Sequence, residues 1–296
     1  MSLSRAAAAV LPIPLLALAV AAAPAGFDSS RAFEHIRQLV ALGPRPAGSP
    51  GNAQARAYIA AQLEAIGLTP SEQAFDADTP FGTIRMVNVI ARIPGQRTDR
   101  LLITGHYDTK LFRQFRFVGA NDGGSSAAML LELARVLKAR SNPLTIELVF
   151  FDGEEAMRPD WAGTDHTYGS RHYVEAARKD GSLSSVKAMI LLDMVGDRSL
   201  DIQKETRSTP WLTDLIWDAA RRLGHGDVFL DRSFEVEDDH FAFLAAGVPA
   251  VDVIDLDYDA WHKANDTLDA VSARSLQTVG DVLLEALPKI EARISK

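Results

Sequence analysis

Five short runs of Val, Ile, Leu and Phe, almost free of polar side chains, restrict the fold of this chain more than any other feature. Their composition indicates strands that are buried on both faces, as in a largely parallel sheet. Stretches with apolar side chains at helical spacing separate them, so strand and helix alternate along the chain. This alternation predicts a three-layer α/β/α fold with a mostly parallel central sheet. The predicted strands are residues 87–93, 101–105, 145–151, 188–192 and 250–254.

The helical segments fit the same alternating pattern, which favours a single domain, residues 27–296, in this chain of 296 residues. Asn52 is predicted to cap the second helix at its N-terminus, and Gly67 is predicted to end that helix. The predicted helices are residues 31–43, 52–67, 125–139, 170–179, 211–223, 239–246 and 273–290.

The N-terminal segment differs from the rest of the chain. Residues 6–23 are almost wholly apolar, and the small residues at 23–25 resemble a cleavage site. This pattern is typical of a secretory signal peptide, which we assign to residues 1–26. An uncleaved membrane anchor is the alternative, but two prolines make the run a poor membrane span. We expect a secreted or periplasmic protein with no stable membrane insertion after cleavage, and tethering to a membrane stays open.

The overall charge and the absence of cysteine exclude several classes of function. The formal net charge of -8 argues against a nucleic-acid partner, because no basic stripe could neutralise phosphates. The sequence contains 0 cysteines, so disulfide bonds, thiolate nucleophiles and cysteine-ligated metal sites are excluded. A metal site in this chain would therefore use imidazole nitrogen and carboxylate oxygen.

Charged and aromatic side chains follow the predicted strands directly. In sheets of this kind, binding sites form outside the carboxyl ends of the strands, so we expect these side chains to meet at one edge. Asp122 joins them because it opens a predicted helix after a glycine-containing loop. The segments that follow strands are His106-Tyr107-Asp108, Asp152-Gly153-Glu154-Glu155, Asp193 and Trp261-His262.

Each of these residues also has an ordinary structural explanation. Asp122 could cap a helix, a single histidine is more often structural than a ligand, and Glu154-Glu155 could lie in a solvated turn. Burying several carboxylates together is costly, however, unless a cation compensates them. Imidazole and carboxylate donors suit catalytic zinc, which takes three protein ligands and keeps one position open. Of two adjacent glutamates, one can bind metal while the other faces the substrate as general acid/base.

Seven motifs stand in a characteristic order between residues 106 and 262, and the similarity that they mark extends over roughly residues 33–290. They are HYDTK at 106–110, FVGAND at 117–122, MLLELAR at 129–135, FFDGEEA at 150–156, YGSRHY at 168–173, EDDHFAFLAAGVP at 237–249 and Trp261-His262. In order and context they resemble the M28 family of zinc aminopeptidases. Within that superfamily the chain is most similar to the animal-type glutaminyl-peptide cyclotransferases, also called glutaminyl cyclases.

This resemblance implies an enzyme that converts the N-terminal glutamine of peptides or proteins to pyroglutamate and releases ammonia. It implies one zinc ion held by Asp122, Glu155 and His262, with Glu154 as the general acid/base. The remaining site residues that it implies are Asp193 and Asp238, which would organise the reaction, and Trp161 and Trp261, which would line the substrate pocket.

An M28 aminopeptidase is the alternative, with the same substrate end but a different product. It would hold two zinc ions, with His106 and Asp193 as added ligands and Asp122 as the bridge. Two features favour the cyclase: Asp238 stands where the aminopeptidases usually have serine, and residues 157–167 form an insertion that contains a tryptophan. A non-catalytic zinc-binding domain is a remote alternative, because the general base and all three core ligands are retained.

Overall fold

All five predicted strands are present in the computed structural model of the chain, which describes residues 26–295. The strands are β1 (Ser71–Thr79), β2 (Gly82–Ile93), β3 (Arg97–His106), β4 (Leu144–Phe151), β5 (Val186–Asp193), β6 (Ile202–Glu205), β7 (Phe229–Phe234) and β8 (Ala250–Ile254). The helices are α1 (Ser29–Leu42), α2 (Pro50–Ala65), α3 (Gly124–Lys138), α4 (Tyr168–Lys179), α5 (Pro210–Leu223), α6 (His240–Ala245) and α7 (Ala273–Ile294).

The signal peptide predicted over residues 1–26 lies outside the described residues, apart from Gly26. Within residues 26–295, no helix has the length and apolar character that crossing a membrane requires.

The central sheet has six strands in the order β1-β2-β4-β3-β5-β8. Strands β4, β3, β5 and β8 run parallel, which confirms the mostly parallel sheet. The strand predicted at residues 87–93 is an exception, because β2 pairs antiparallel with both β1 and β4. Only residues 94–96 connect β2 to β3, and a crossover between parallel strands needs a dozen or more residues. Strand β2 therefore runs opposite to β3 and to β4, which is parallel to β3.

Alternate side chains of each central strand enter two different apolar layers. Leu101 and Ile103 of β3 pack with α1, α2, α3, α5 and α7, whereas Leu102 between them packs with α4 and α6. This alternation is the two-residue period of a strand with helices on both faces. The three-layer α/β/α prediction is therefore confirmed.

Two helix starts differ from the sequence predictions. Ser49, not Asn52, caps α2, and its hydroxyl accepts a hydrogen bond from the Asn52 backbone N–H at 3.1 Å. The Asn52 side chain is buried and donates to Asp152 Oδ1 at 2.8 Å. At α3 the capping position is Gly123, and no side chain caps this helix, so the ordinary explanation of Asp122 as a helix cap is wrong.

Candidate active site

The carboxyl ends of the parallel strands carry the acidic and imidazole side chains that the sequence predicts there. His106 is the last residue of β3, Asp152 follows β4 directly, and Asp193 is the last residue of β5. The segment after β8 brings Trp261 and His262 to the cavity that Asp193 also lines. Residues that are distant along the chain therefore surround one opening at this edge of the sheet.

Asp122, Glu155 and His262 form a three-donor cluster in which one ligand atom of each lies within 4.8 Å of the others. His262 Nε2 is 3.4 Å from Asp122 Oδ2 and 3.3 Å from Glu155 Oε1. Asp122 Oδ2 and Glu155 Oε2 are buried and have no hydrogen-bond partner among the described residues. Because orphaned buried carboxylate oxygens are costly, the donor set fits a divalent cation.

Asp266, which sequence reasoning missed, holds the Asp122 loop in place. Its carboxylate accepts hydrogen bonds from the backbone N–H groups of Asn121 at 2.8 Å and Asp122 at 3.2 Å. The Tyr258 hydroxyl donates to the same carboxylate at 2.7 Å. Asp266 thus fixes the loop that bears one cluster residue to the segment that bears His262. No local sequence signal marks this role, because the partners are more than 140 positions apart.

Asp108, which the sequence places at this edge of the sheet without giving it a role, positions the glutamate pair. It accepts from the backbone N–H of Glu154 at 3.3 Å and of Glu155 at 3.4 Å. The backbone beside it has no room for a side chain at Gly123, where a Cβ would lie 2.3 Å from Asp108 O and 3.1 Å from His106 Cε1. The positive φ of 75° at Gly123 also favours glycine.

A second three-donor group lies beside the first and shares Asp122 with it. Ligand atoms of His106, Asp122 and Asp193 also lie within 4.8 Å of one another. His106 Nε2 is 3.1 Å from Asp193 Oδ1 and 3.3 Å from Asp122 Oδ1. Burial alone would lower the pKa of His106, but the carboxylates of Glu154 and Asp193 hold it well above its usual value. The residues expected to bind one zinc ion and those expected to bind a second zinc ion therefore lie next to each other.

Glu154 and Asp238 are buried carboxyl groups that line the same cavity. Burial raises the pKa of Glu154 well above its usual range; His106 opposes the rise, and Asp238 and Glu155 add to it. Burial and the nearby Asp193 and Asp239 likewise raise the pKa of Asp238. A carboxyl group with a raised pKa can hold a proton that an ordinary carboxyl group would release, as a general acid/base must.

The cavity measures about 430 Å³ and is lined by both predicted tryptophans as well as by the acidic cluster. Trp161 stacks on His166 at a ring-centre distance of 4.4 Å, and Trp261 stacks on His262 at 4.6 Å. Each indole is thus supported on one face while it borders the cavity. Trp161 belongs to the insertion at 157–167, so this insertion contributes to the wall of the site.

Comparison with known proteins agrees with this geometry. The model of peptidase family M28 matches residues 88–287. The glutaminyl-peptide cyclotransferase-like protein of Bos taurus is 31% identical, covering 78% of this chain and 68% of that protein. Two solved structures are also similar. Glutaminyl cyclase from an Acidobacteriales bacterium is 40% identical, with a TM-score of 0.87 over 96% of this chain and 100% of that chain. Glutaminyl cyclase from Fimbriiglobus ruber is 31% identical, with a TM-score of 0.80 over 88% and 95% of the two chains.

The chain belongs to peptidase family M28. Its similarity to the glutaminyl cyclases covers nearly the whole described chain, as the sequence motifs predict.

In this M28 protein a buried polar group braces the loop that carries Asp238. His240 Nε2 lies 3.1 Å from Glu205 Oε2, and His240 Nδ1 lies 3.7 Å from Asp252 Oδ2. Ser208 donates to the same Glu205 oxygen from its hydroxyl at 2.8 Å. Sequence reasoning missed Glu205 and Asp252. Asp252 gave a signal, because it is the one charged residue in the otherwise apolar strand β8.

Proposed function

We propose that this protein is a glutaminyl-peptide cyclotransferase, an acyltransferase that converts the N-terminal glutamine of peptides or proteins to pyroglutamate and releases ammonia. The observation that carries the proposal is the 40% identity to a glutaminyl cyclase over 96% of the chain. The cavity suits the reaction, because a cation cluster, a proton-holding glutamate and aromatic walls line one space. No water is consumed in this cyclisation, so walls that exclude water favour it over hydrolysis.

Asp122, Glu155 and His262 are proposed to hold one zinc ion. Their oxygen and nitrogen donors, and the two orphaned carboxylate oxygens, suit zinc in a site with an open position. When bound, zinc supplies Lewis-acid polarisation of the side-chain carbonyl of the substrate glutamine.

Glu154 is proposed to move the proton. The α-amine nitrogen forms a bond to the side-chain amide carbon of the glutamine, Cδ, and the bond from Cδ to the side-chain amide nitrogen breaks. Glu154 accepts the proton that the attacking amine loses and donates it to the departing ammonia. Asp193 and Asp238, which line the cavity together with Glu154, are proposed to organise this transfer. Trp161 and Trp261 line the pocket around the substrate.

Mass spectrometry of two peptides incubated with the zinc-loaded protein tests this function. One peptide begins with glutamine and the other with leucine but is otherwise identical. We expect the glutamine peptide to lose ammonia and the leucine peptide to remain intact. Release of a free N-terminal amino acid from either peptide would contradict the proposal.

An M28 aminopeptidase is the second candidate, and the His106–Asp122–Asp193 group is the observation that favours it. This alternative requires two zinc ions per chain and loss of activity when His106 is replaced. Metal analysis of the purified protein discriminates between the two functions, because the cyclase proposal requires a single zinc ion at full activity.

We further propose that residues 1–26 are a signal peptide and that residues 27–296 form a single catalytic domain, secreted or periplasmic. N-terminal sequencing of the protein recovered from cell fractions tests both statements. A mature protein that begins near residue 27 supports them, and an intact N-terminus in the membrane fraction would favour tethering.

A further inference from the structure

A second pocket of about 280 Å³ adjoins the active-site cavity. Lys110 and Pro159 line both spaces, so they form the partition between them. The outer wall is contributed by the β1–β2 turn through Phe81, and by Leu111 and Phe112 of the segment that follows β3. The mechanism described above uses none of these three apolar side chains.

Exposed apolar side chains concentrate at these two openings. Within residues 26–295, five large hydrophobic residues are exposed, and four of them line the active-site cavity or the adjoining pocket. They are Phe81 at 61%, Trp261 at 43%, Leu111 at 39% and Trp161 at 36%, whereas the fifth, Leu223 at 41%, lies at the end of α5. A cluster of exposed apolar surface next to a binding cavity marks an interaction site.

The aromatic wall of the second pocket contacts the three-donor cluster of Asp122, Glu155 and His262. Phe112 stacks on Phe115 at a ring-centre distance of 4.5 Å, and both line the pocket. Phe112 also meets the His262 ring edge-on at 5.6 Å. An extended peptide advances about 3.3–3.6 Å per residue, so the 5.6 Å between the Phe112 and His262 rings is shorter than two extended residues.

The charges around the two spaces set the direction of a bound peptide. Seven carboxyl groups line the active-site cavity and attract an N-terminal ammonium group. The second pocket is lined by no carboxylate, and its charged residues are Lys110 and Arg113. The Lys110 ammonium already lies 3.5 Å from Glu155 Oε2. This contrast favours a peptide with its N-terminus in the acidic cavity and its following residues at the apolar pocket.

We propose that this pocket is a substrate subsite that binds a large apolar side chain, aromatic or branched aliphatic, at the second or third position of the peptide. The inference rests on the proposed function. Successive side chains of an extended chain point to opposite faces, so one of the two positions fills the pocket and the other does not. Phe81 and Leu111 are the specificity-determining residues.

Steady-state kinetics with three peptides tests the subsite. All begin with glutamine; one has glycine at positions two and three, one has phenylalanine at position two, and one has phenylalanine at position three. For the unmodified zinc-loaded enzyme, we expect kcat/KM about 10-fold higher for one phenylalanine peptide than for the glycine peptide. In the Phe81→Ala and Leu111→Ala variants this ratio should fall toward one. Leu223→Ala is the matched control and should leave every kcat/KM unchanged.

The outcomes separate the subsite from the function on which it rests. If no glutamine peptide is cyclised, the proposed function fails. If all three are cyclised with equal kcat/KM, or if both phenylalanine peptides gain equally, the function stands and the subsite inference is overturned. The inference is also overturned if Phe81→Ala leaves the ratio unchanged and instead dissociates a dimer in sedimentation analysis, because the occupant is then a second copy of the chain.

Discussion

Strand β4 carries one buried glutamate in its middle and leads to two more beyond its carboxyl end, and their charges are compensated differently. Glu147, the fourth residue of the strand, is fully buried and ion-paired with Arg92 and Arg100, and Arg100 Nη1 lies 2.9 Å from Glu147 Oε2. The Tyr173 hydroxyl also donates to it. Burial alone would raise the pKa of Glu147, but the tyrosine and the two arginines outweigh burial and lower it.

Glu154 and Glu155, just beyond the carboxyl end of the strand, lack comparable compensation. The pKa of Glu155 is raised by burial and by Asp122, against the opposing effects of His262 and Lys110. The pKa of Glu154 is raised as well. The buried carboxylate of Glu147, which lies away from the cavity, is neutralised by arginine side chains of the protein itself. At the candidate active site, the negative charge is left for a metal ion or a substrate ammonium group to neutralise.

Replacement of Glu154 should have the largest effect on activity. In Glu154→Gln the side chain keeps its size but cannot carry the proton, so we expect kcat for cyclisation to fall by about 10³-fold. Zinc content by mass spectrometry should remain at the wild-type level. Glu175→Gln, at an exposed position on α4, is the control for a glutamate-to-glutamine change. Full turnover by the zinc-loaded Glu154→Gln variant would show that another group moves the proton.

Replacement of Glu147 should have its effect on stability instead. Glu147→Gln leaves the buried Arg100 without its carboxylate, which we expect to cost about 3 kcal/mol of unfolding free energy. For a chain of this size that is a fall in Tm of roughly 6–12 °C. Thermal unfolding measures it, and kcat per folded molecule should stay close to wild type. Glu72→Gln, which removes an exposed ion pair with Arg56, should change Tm little. A large loss of kcat in Glu147→Gln would contradict the assignment of Glu147 to stability and of Glu154 to activity.

Replacement of Glu155 should move stability in the opposite direction when zinc is absent. In the chelated protein, burial and repulsion by Asp122 outweigh the pairing of Glu155 with His262 and Lys110, so Glu155→Gln should raise the unfolding free energy by about 1 kcal/mol. Added zinc should raise the Tm of the wild type far more than that of the variant, because a ligand has been lost. Unfolding curves with chelator and with zinc provide both comparisons. If the chelated variant is less stable than wild type, Glu155 is compensated as Glu147 is.

The sequence predicts the central strands and half of the cavity-lining residues, because both depend on local patterns. Continuous apolar runs placed strands β2, β3, β4, β5 and β8. Strand β1 was missed because its sequence, SEQAFDADT, is polar and alternates between exposed and buried positions at the edge of the sheet. The four-residue strand β6 and the largely polar strand β7 were missed for the same reason, since neither forms a buried apolar run.

What the sequence could not predict depends on contacts between distant segments. Asp266 and Asp108 act through hydrogen bonds to backbone N–H groups elsewhere in the chain, and any aspartate in a loop has the same local appearance. The left-handed backbone of His262, with φ at 52°, also has no sequence signature. Only the packed structure fixes such a conformation, and strain of this kind is concentrated at functional sites.

An acidic pair outside both three-donor groups, buried Asp255 and half-buried Asp201, tests whether missing compensation is enough to mark a metal site. Asp255 accepts a hydrogen bond from the Asp201 backbone N–H at 3.2 Å, and one oxygen of each carboxyl has no partner within residues 26–295. Neither residue belongs to the two three-donor groups found in that range. Burial, opposed by the Asp201 N–H and reinforced by Asp197, raises the pKa of Asp255 to about 8. At this pair a bound proton neutralises the Asp255 carboxyl group, whereas at Glu155 we assign that neutralisation to a cation.

The pH dependence of stability distinguishes these cases, although its effect should be the smallest. Between about pH 4 and pH 8 folded Asp255 holds a proton that the unfolded chain releases, so its contribution to stability falls as pH rises. Asp255→Asn stays neutral, and its amide can accept from the Asp201 N–H and donate to the Asp201 carboxylate. We expect equal Tm values at pH 5 and a variant Tm roughly 2–4 °C higher at pH 8.5, about 1 kcal/mol. Asp214→Asn, at an exposed position on α5, should show no such difference. A lower Tm for Asp255→Asn at pH 8.5 would mean that this carboxylate, like Glu147, is compensated by the fold.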